Sequence, residues 1–306
     1  MISMVKFGIT LPLQKYSFEL ASNIAQYCEE LGLFAMFVND HYMRGRNNIP
    51  DAYLTLAAIA ARTKRIRIGT AVTPIPFRPV PILAKMVATL DNISKGRFIF
   101  GVGAGWIQSE FEGYGVEFPP PGERVSKTIE GLTLMKKMWT EDEVTFKGRY
   151  YHVKGNILLP KPVQKPHPPI LIGSWSPRMC RAIARLGDGW LHPRGRGHRI
   201  EEYRKIMEQI MNRAVRSGRT RDEFTFAHTT RYVLTESKQE DLKKLSIESI
   251  DREFVIGSAE ECVEELQKYV DSDTDMILFS LAPDIINHAQ EQISLFRDKV
   301  MSQLDV

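Results

Sequence analysis

Residues 65–106, RIRIGTAVTPIPFRPVPILAKMVATLDNISKGRFIFGVGAGW, hold two short apolar runs separated by a helical segment. The first run, from Ile66 to Val72, leads into a loop carrying Pro74, Pro76, Pro79 and Pro81. Apolar residues then recur at Ile82, Leu83, Met86, Val87 and Leu90, the spacing of one helix face. Lys95-Gly96 predicts a turn, and Phe98 to Val102 a second strand that ends among Gly101, Gly103 and Gly105. Strand, helix and strand in that order make a βαβ unit, which builds a parallel sheet. Both runs are apolar at successive positions, as in strands covered on both faces. Ligands of such folds bind at the carboxyl ends of the strands, where the proline-rich loop and the alternate glycines fall.

The same alternation runs through the rest of the chain. Further strands are predicted at residues 6–11, 35–38, 170–173, 189–192, 224–234 and 275–281. Further helices are predicted at 18–31, 53–62, 122–139, 178–186, 201–217, 239–251 and 259–270, with a last one running to about residue 303. Eight strands alternating with helices predict an α/β fold of the (β/α)8 TIM-barrel type, one domain over residues 1–306. Three segments interrupt the alternation. Residues 109–122 read as a loop rich in glycine and proline. Residues 144–153 read as a hairpin turning at Lys147-Gly148. Residues 160–169, PKPVQKPHPP, read as an extended, polyproline-like strap. Val255-Ile256-Gly257 reads as a break between two helices.

Composition narrows the partners. Apolar content of 43% and charged content of 25% are those of a globular chain. The net charge of +4 is spread over helices and loops, so no nucleic-acid footprint is expected. No apolar run approaches the roughly 20 residues that span a bilayer, and the opening MISMVKFGITL lacks the regions of a secretory signal. Cys28, Cys180 and Cys262 stand far apart beside apolar neighbours, the pattern of buried free thiols in a reducing, cytoplasmic setting.

Chemistry-bearing residues gather at the predicted strand ends. Asp40-His41 ends the second strand; the imidazole can move a proton near neutral pH or donate to an anionic ring atom, or it can be a packed histidine satisfied by Asp40. Gly69-Thr70-Ala71-Val72 ends the third strand, where glycine permits a bulge or is an ordinary strand end. Gly101, Gly103 and Gly105 remove side chains where a flat ligand could approach, although GxGxG opens no helix and is not a dinucleotide fingerprint. Gly173-Ser174 ends the fifth strand and Pro177 opens a helix, whose amino end can hold an anion such as phosphate. Arg194 and Arg196 could add charge there, or belong to a solvated loop. Trp106 and Trp175 could cover a planar ring or fill the core. No HExxH, nucleophile elbow or Walker loop is present, and the histidines are not at metal-ligand spacing. Without those, the chemistry is expected from an organic cofactor.

The motifs NDH at 39–41, GTAVTPIPFRPVPILAK at 69–85, SKGRFIFGVGAGW at 94–106, LLPKPVQKPHPPILIGSWSPR at 158–178 and LGDGWL at 186–191 resemble the luciferase-like oxidoreductase superfamily. They look most like its branch that uses the deazaflavin coenzyme F-420. The resemblance implies hydride transfer between F-420 and a small organic substrate. The runner-up is an FMN-dependent monooxygenase working with a separate flavin reductase. A non-catalytic flavin-binding or scaffold protein is the third reading. The resemblance also implies a cis peptide joining Ala71 to Val72, with Thr70, Ala71 and Val72 backing the cofactor ring. His41 would be the site histidine and Asp40 its neighbour. Gly103, Ala104 and Gly105 would lie beside the cofactor tail, and Gly173 with Ser174 would contact phosphate. Some deazaflavin dehydrogenases carry a glutamate where Trp106 stands, which points away from a sugar-phosphate substrate. A homodimer formed through outer helices is expected from the family.

Overall fold

A computed structural model describes residues 5–14, 16–192, 200–235, 254–281 and 288–304. The first half of the chain forms β1 (Lys6–Leu11), α1 (Phe18–Glu30), β2 (Ala35–Val38), α2 (Ala52–Arg62), β3 (Arg67–Thr70), β4 (Thr73–Pro74), α3 (Val80–Ile93), β5 (Phe98–Gly103), α4 (Gln108–Gly113) and α5 (Pro121–Thr140). A hairpin of β6 (Val144–Lys147) and β7 (His152–Asn156) follows. Then come β8 (Ile170–Ile172), α6 (Pro177–Leu186), β9 (Gly189–His192), α7 (Ile200–Arg216), β10 (Thr225–Leu234), β11 (Phe254–Gly257), α8 (Ala259–Val270), β12 (Met276–Ser280) and α9 (Ala289–Lys299).

Eight strands close a parallel barrel in the order β1, β2, β3, β5, β8, β9, β10, β12, with β12 pairing back to β1. The predicted (β/α)8 barrel is therefore the fold, and its closure needs strands from near both ends of the chain. Alternation along each strand divides the core in two. Ala35, Phe37, Ile99, Leu171, Leu191, Ala227, Met276 and Leu278 fill the lumen. Their neighbours, such as Met36, Val38, Phe98, Phe100, Ile170 and Ile172, face the helical layer. Side chains buried on both faces explain why the strands read as continuous apolar runs. Local signals fix the helix starts: Ser17, Asp51 and Ser258 cap α1, α2 and α8, each accepting a backbone N–H three residues on.

The structure departs from the sequence reading in three places and decides between two alternatives in a fourth. Residues 108–113 within the expected loop form α4, because Phe111 is buried against Phe77 and Phe118 and draws the segment inward. Val255-Ile256-Gly257 is not a plain break but part of β11, which pairs parallel to the outer end of β10. The proline-rich strap bends over residues 163–168 and includes cis peptides at Leu159–Pro160 and Lys165–Pro166. Gln164 pins it, donating from its backbone and side chain to the Asp91 carboxylate and from its side chain to the Phe98 carbonyl. Trp106 and Trp175 are 69% and 39% exposed, so neither is core. The helix expected over 239–251 lies outside the described residues. All three cysteines are unpaired and buried.

Candidate active site at the carboxyl mouth of the barrel

The end of β2 sends Asp40 and His41 to different partners. Both Asp40 oxygens accept from Arg78, at 2.7 Å each, in a pair that is almost wholly buried. Burial opposes the Arg78 charge, but the Asp40 carboxylate outweighs it and holds the guanidinium protonated more firmly than usual. The same guanidinium lies over the rings of Tyr42 and Tyr53, at 4.8 and 5.1 Å. Asp40 therefore does not orient His41. His41 instead meets Glu110 on α4: Nδ1 lies 3.1 Å from Oε1 and 3.0 Å from Oε2. Glu110 Oε1 also accepts the backbone N–H groups of Tyr42 and Met43, each at 3.1 Å. Burial raises the Glu110 pKa, yet the His41 contact and the two backbone donors prevail and hold it below the usual carboxylate value.

The end of β3 forms the bulge. The peptide joining Ala71 to Val72 is cis, where the resemblance put it. Thr70 is buried beneath the bulge, its hydroxyl donating to the Gly101 carbonyl at 2.7 Å. Ala71 and Val72 are half-buried at the mouth, between buried Thr70 and Thr73. The flanking glycines do not open directly to a ligand, as the sequence reading had it. A Cβ on Gly103 would lie 2.7 Å from Val72 Cγ2, and one on Gly173 would lie 2.8 Å from Val72 Cγ1. The two glycines make room for the Val72 side chain, which seats the bulge between β5 and β8. The bulge presents a small apolar platform, continued by half-buried Ala104 and Gly105.

At the end of β8, Ser174 is half-buried; its carbonyl accepts the Trp190 indole N–H at 2.8 Å. Ser176 caps α6 and Pro177 occupies its first turn. The Arg178 guanidinium, in the same turn, donates to the Gly122 carbonyl and the Ser126 hydroxyl. Arg194 and Arg196 lie outside the described residues. The structure thus gathers His41, Thr70, Ala71, Val72, Gly103, Ala104, Gly105, Gly173 and Ser174 at one end of the barrel, on β2, β3, β5 and β8 and the loops that follow them. Asp40 sits beneath them in its pair with Arg78.

Sequence reasoning missed Glu110, Arg78 and Tyr42. Glu110 was hidden inside an expected loop, although SEFEGY after the glycines has a helix-compatible acid followed by an apolar anchor. Tyr42 stacks on Phe77, with ring centroids 4.5 Å apart, and so ties the His41 loop to the start of α3. At the rim, Arg44 lies over the exposed Trp106 ring at 5.2 Å. A cleft at the opposite, amino end of the barrel is lined by Glu29, Leu33, Phe34, Arg65 and Arg67. Glu29 is committed there to the backbone N–H groups of Lys64, Arg65 and Ile66. Among the described residues, no group of three or more His, Cys, Asp or Glu side chains is placed to hold a metal ion.

Residues 4–246 match the luciferase-like monooxygenase family profile. The chain belongs to the luciferase-like monooxygenase family. Within it, the chain is 28% identical to an F-420-dependent glucose-6-phosphate dehydrogenase of Amycolatopsis mediterranei, over 98% of this chain and 99% of that one. A solved F-420-dependent secondary alcohol dehydrogenase, in complex with an F-420–acetone adduct, superposes with a TM-score of 0.80 at 19% identity, over 100% of both chains. A monooxygenase from Streptomyces bottropensis superposes with a TM-score of 0.81 at 24% identity, over 97% of this chain and 99% of that one. These two likenesses establish the luciferase-like fold. Among the described residues of this family member, no helix is long and apolar enough to cross a membrane.

Proposed function

We propose that this luciferase-like protein is an oxidoreductase that transfers a hydride between coenzyme F-420 and a small organic substrate. The observation that carries the reading is the platform at Ala71 and Val72, seated by Gly103 and Gly173 beside the His41–Glu110 pair. A planar ring needs a flat, side-chain-poor wall with a proton-handling group near it, and the residues present fit that need. The F-420-dependent relative that aligns along nearly the whole chain supports the same cofactor.

In this reading the deazaflavin supplies a two-electron hydride donor or acceptor when bound. Thr70, Ala71 and Val72 back the ring. Gly103, Ala104 and Gly105 border its tail. Gly173, Ser174 and the amino end of α6 take the anionic end, with Arg178 adding charge. His41 holds or moves a proton at the reacting group. Asp40 acts at one remove, by anchoring Arg78 under the loop that carries His41. The exposed Trp106, standing where some dehydrogenases of the branch carry glutamate, favours a substrate other than a sugar phosphate. A homodimer is part of the proposal. Leu54 on α2 is 74% exposed, Ile82 on α3 58% and Leu159 beside α3 61%, an apolar strip across neighbouring outer elements.

Fluorescence titration of the purified protein with F-420 and with FMN tests the cofactor. Binding of F-420 with little or none of FMN is expected. Tight FMN and no F-420 would overturn the reading in favour of a flavin-dependent monooxygenase, and oxygen consumption with reduced FMN would then identify it.

A further inference from the structure

Two acids stand near His41, and they are not equivalent. Asp40 has both oxygens occupied by Arg78 at 2.7 Å. Glu110 accepts the backbone N–H groups of Tyr42 and Met43 and faces His41 Nδ1, and its side chain is 7% exposed. A carboxyl that accepts two backbone N–H groups and is held below its usual pKa is ionised and has no hydrogen to give. The hydrogen between Glu110 and His41 must therefore sit on Nδ1. A neutral imidazole protonated at Nδ1 carries its lone pair at Nε2. The His41 side chain keeps 18% of its surface accessible, so the ring is not sealed in.

We propose that Glu110 is the positioning residue of the site: it fixes His41 as the Nδ1–H tautomer, so that Nε2 is the atom that takes up the substrate proton. The tautomer stands on the geometry. Its use rests on the hydride-transfer reading above. Oxidising a carbinol to a carbonyl breaks one C–H and one O–H bond. The hydride goes to the deazaflavin, and the hydroxyl proton goes to Nε2, forming an N–H bond as the C–O bond becomes double. The resulting imidazolium rests against the Glu110 carboxylate. In the reducing direction the same N–H returns its proton to the new alkoxide oxygen. Of the other charged groups nearby, Asp40 and Arg78 pair with each other, Asp51 lies 4.0 Å from Arg78, and Arg44 lies over Trp106.

The test is nitrogen-15 NMR of protein labelled at its histidines, without cofactor, with His41→Gln used to assign the His41 signals. Wild-type His41 in its neutral form is expected as the Nδ1–H tautomer. In Glu110→Gln the amide oxygen keeps the two backbone N–H groups and its NH2 faces Nδ1, so the ring is expected to switch to the Nε2–H tautomer. Glu110→Asp, which keeps a carboxylate acceptor, should keep the Nδ1–H form. An Nε2–H tautomer in the wild type, or an unchanged Nδ1–H tautomer in Glu110→Gln, would overturn the proposal. The wild-type tautomer needs only the His41→Gln reference, so it stands even if a Glu110 variant folds poorly. Failure of F-420 to bind would leave this measurement intact and sink the cofactor reading instead.

Discussion

The Asp40 carboxylate and the Arg78 guanidinium face each other through two hydrogen bonds of 2.7 Å, with almost no surface left to solvent. Removing one member strands a charge in the protein interior. Arg78→Met should cost about 3–5 kcal/mol. Replacing both, as Asp40→Leu with Arg78→Met, should cost less than either single change. Urea unfolding midpoints of the three variants give the comparison. Equal additivity of the singles in the double would count against a coupled pair.

Gly103 and Gly101 answer differently to the same substitution. An alanine methyl at 103 meets the tip of Val72 at 2.7 Å, whereas one at 101 meets the Thr70 carbonyl oxygen at 1.7 Å. Gly103→Ala should cost about 1–3 kcal/mol by overpacking and weaken F-420 binding roughly tenfold. Adding Val72→Ala should restore the fold stability. Gly101→Ala meets backbone and has no such rescue. Thermal melts and cofactor titrations on the single and double variants decide this.

The Glu110 pKa lies below its ordinary value in the folded protein, so the unfolded chain takes up that proton more readily. The stabilisation is complete above the usual glutamate pKa of about 4.3. It is lost as the pH falls through the lower folded value. Wild type should be more stable than Glu110→Gln at pH 7, and the gap should close below about pH 4. A gap that stays constant from pH 7 to 3 would show that the charge does not contribute.

Leu54→Glu together with Ile82→Glu places charge on two positions that are already exposed, so the protomer fold should hold to within about 0.5 kcal/mol per site. The proposed homodimer should nevertheless dissociate, read as a halved mass by light scattering. A wild-type mass of one chain would refute the dimer.

Much of the barrel was legible because both-face burial writes itself as runs such as KFGITL and FIFGVG. The strand-end residues followed from the fold, since barrel sites sit at one end. Less legible were contacts made across loops. Glu110 and His41 are 69 residues apart, and Asp40 and Arg78 are 38 apart. Nothing in local periodicity pairs them. The glycines were visible but their purpose was not: spacing marks a missing side chain, and only the packed neighbours show that Val72 occupies the gap. The brief strand β11 was hidden by its length, four residues between expected helices.

Glu110 reaches His41 from the first turn of a six-residue helix. Each residue turns a helix by about 100°. Adding or deleting one amino acid between Gln108 and Glu110 would swing the acid off the imidazole even if every other atom stayed in place. The stretch can therefore vary in letters far more freely than in count, and homologues that alter its length must orient their imidazole by some other means.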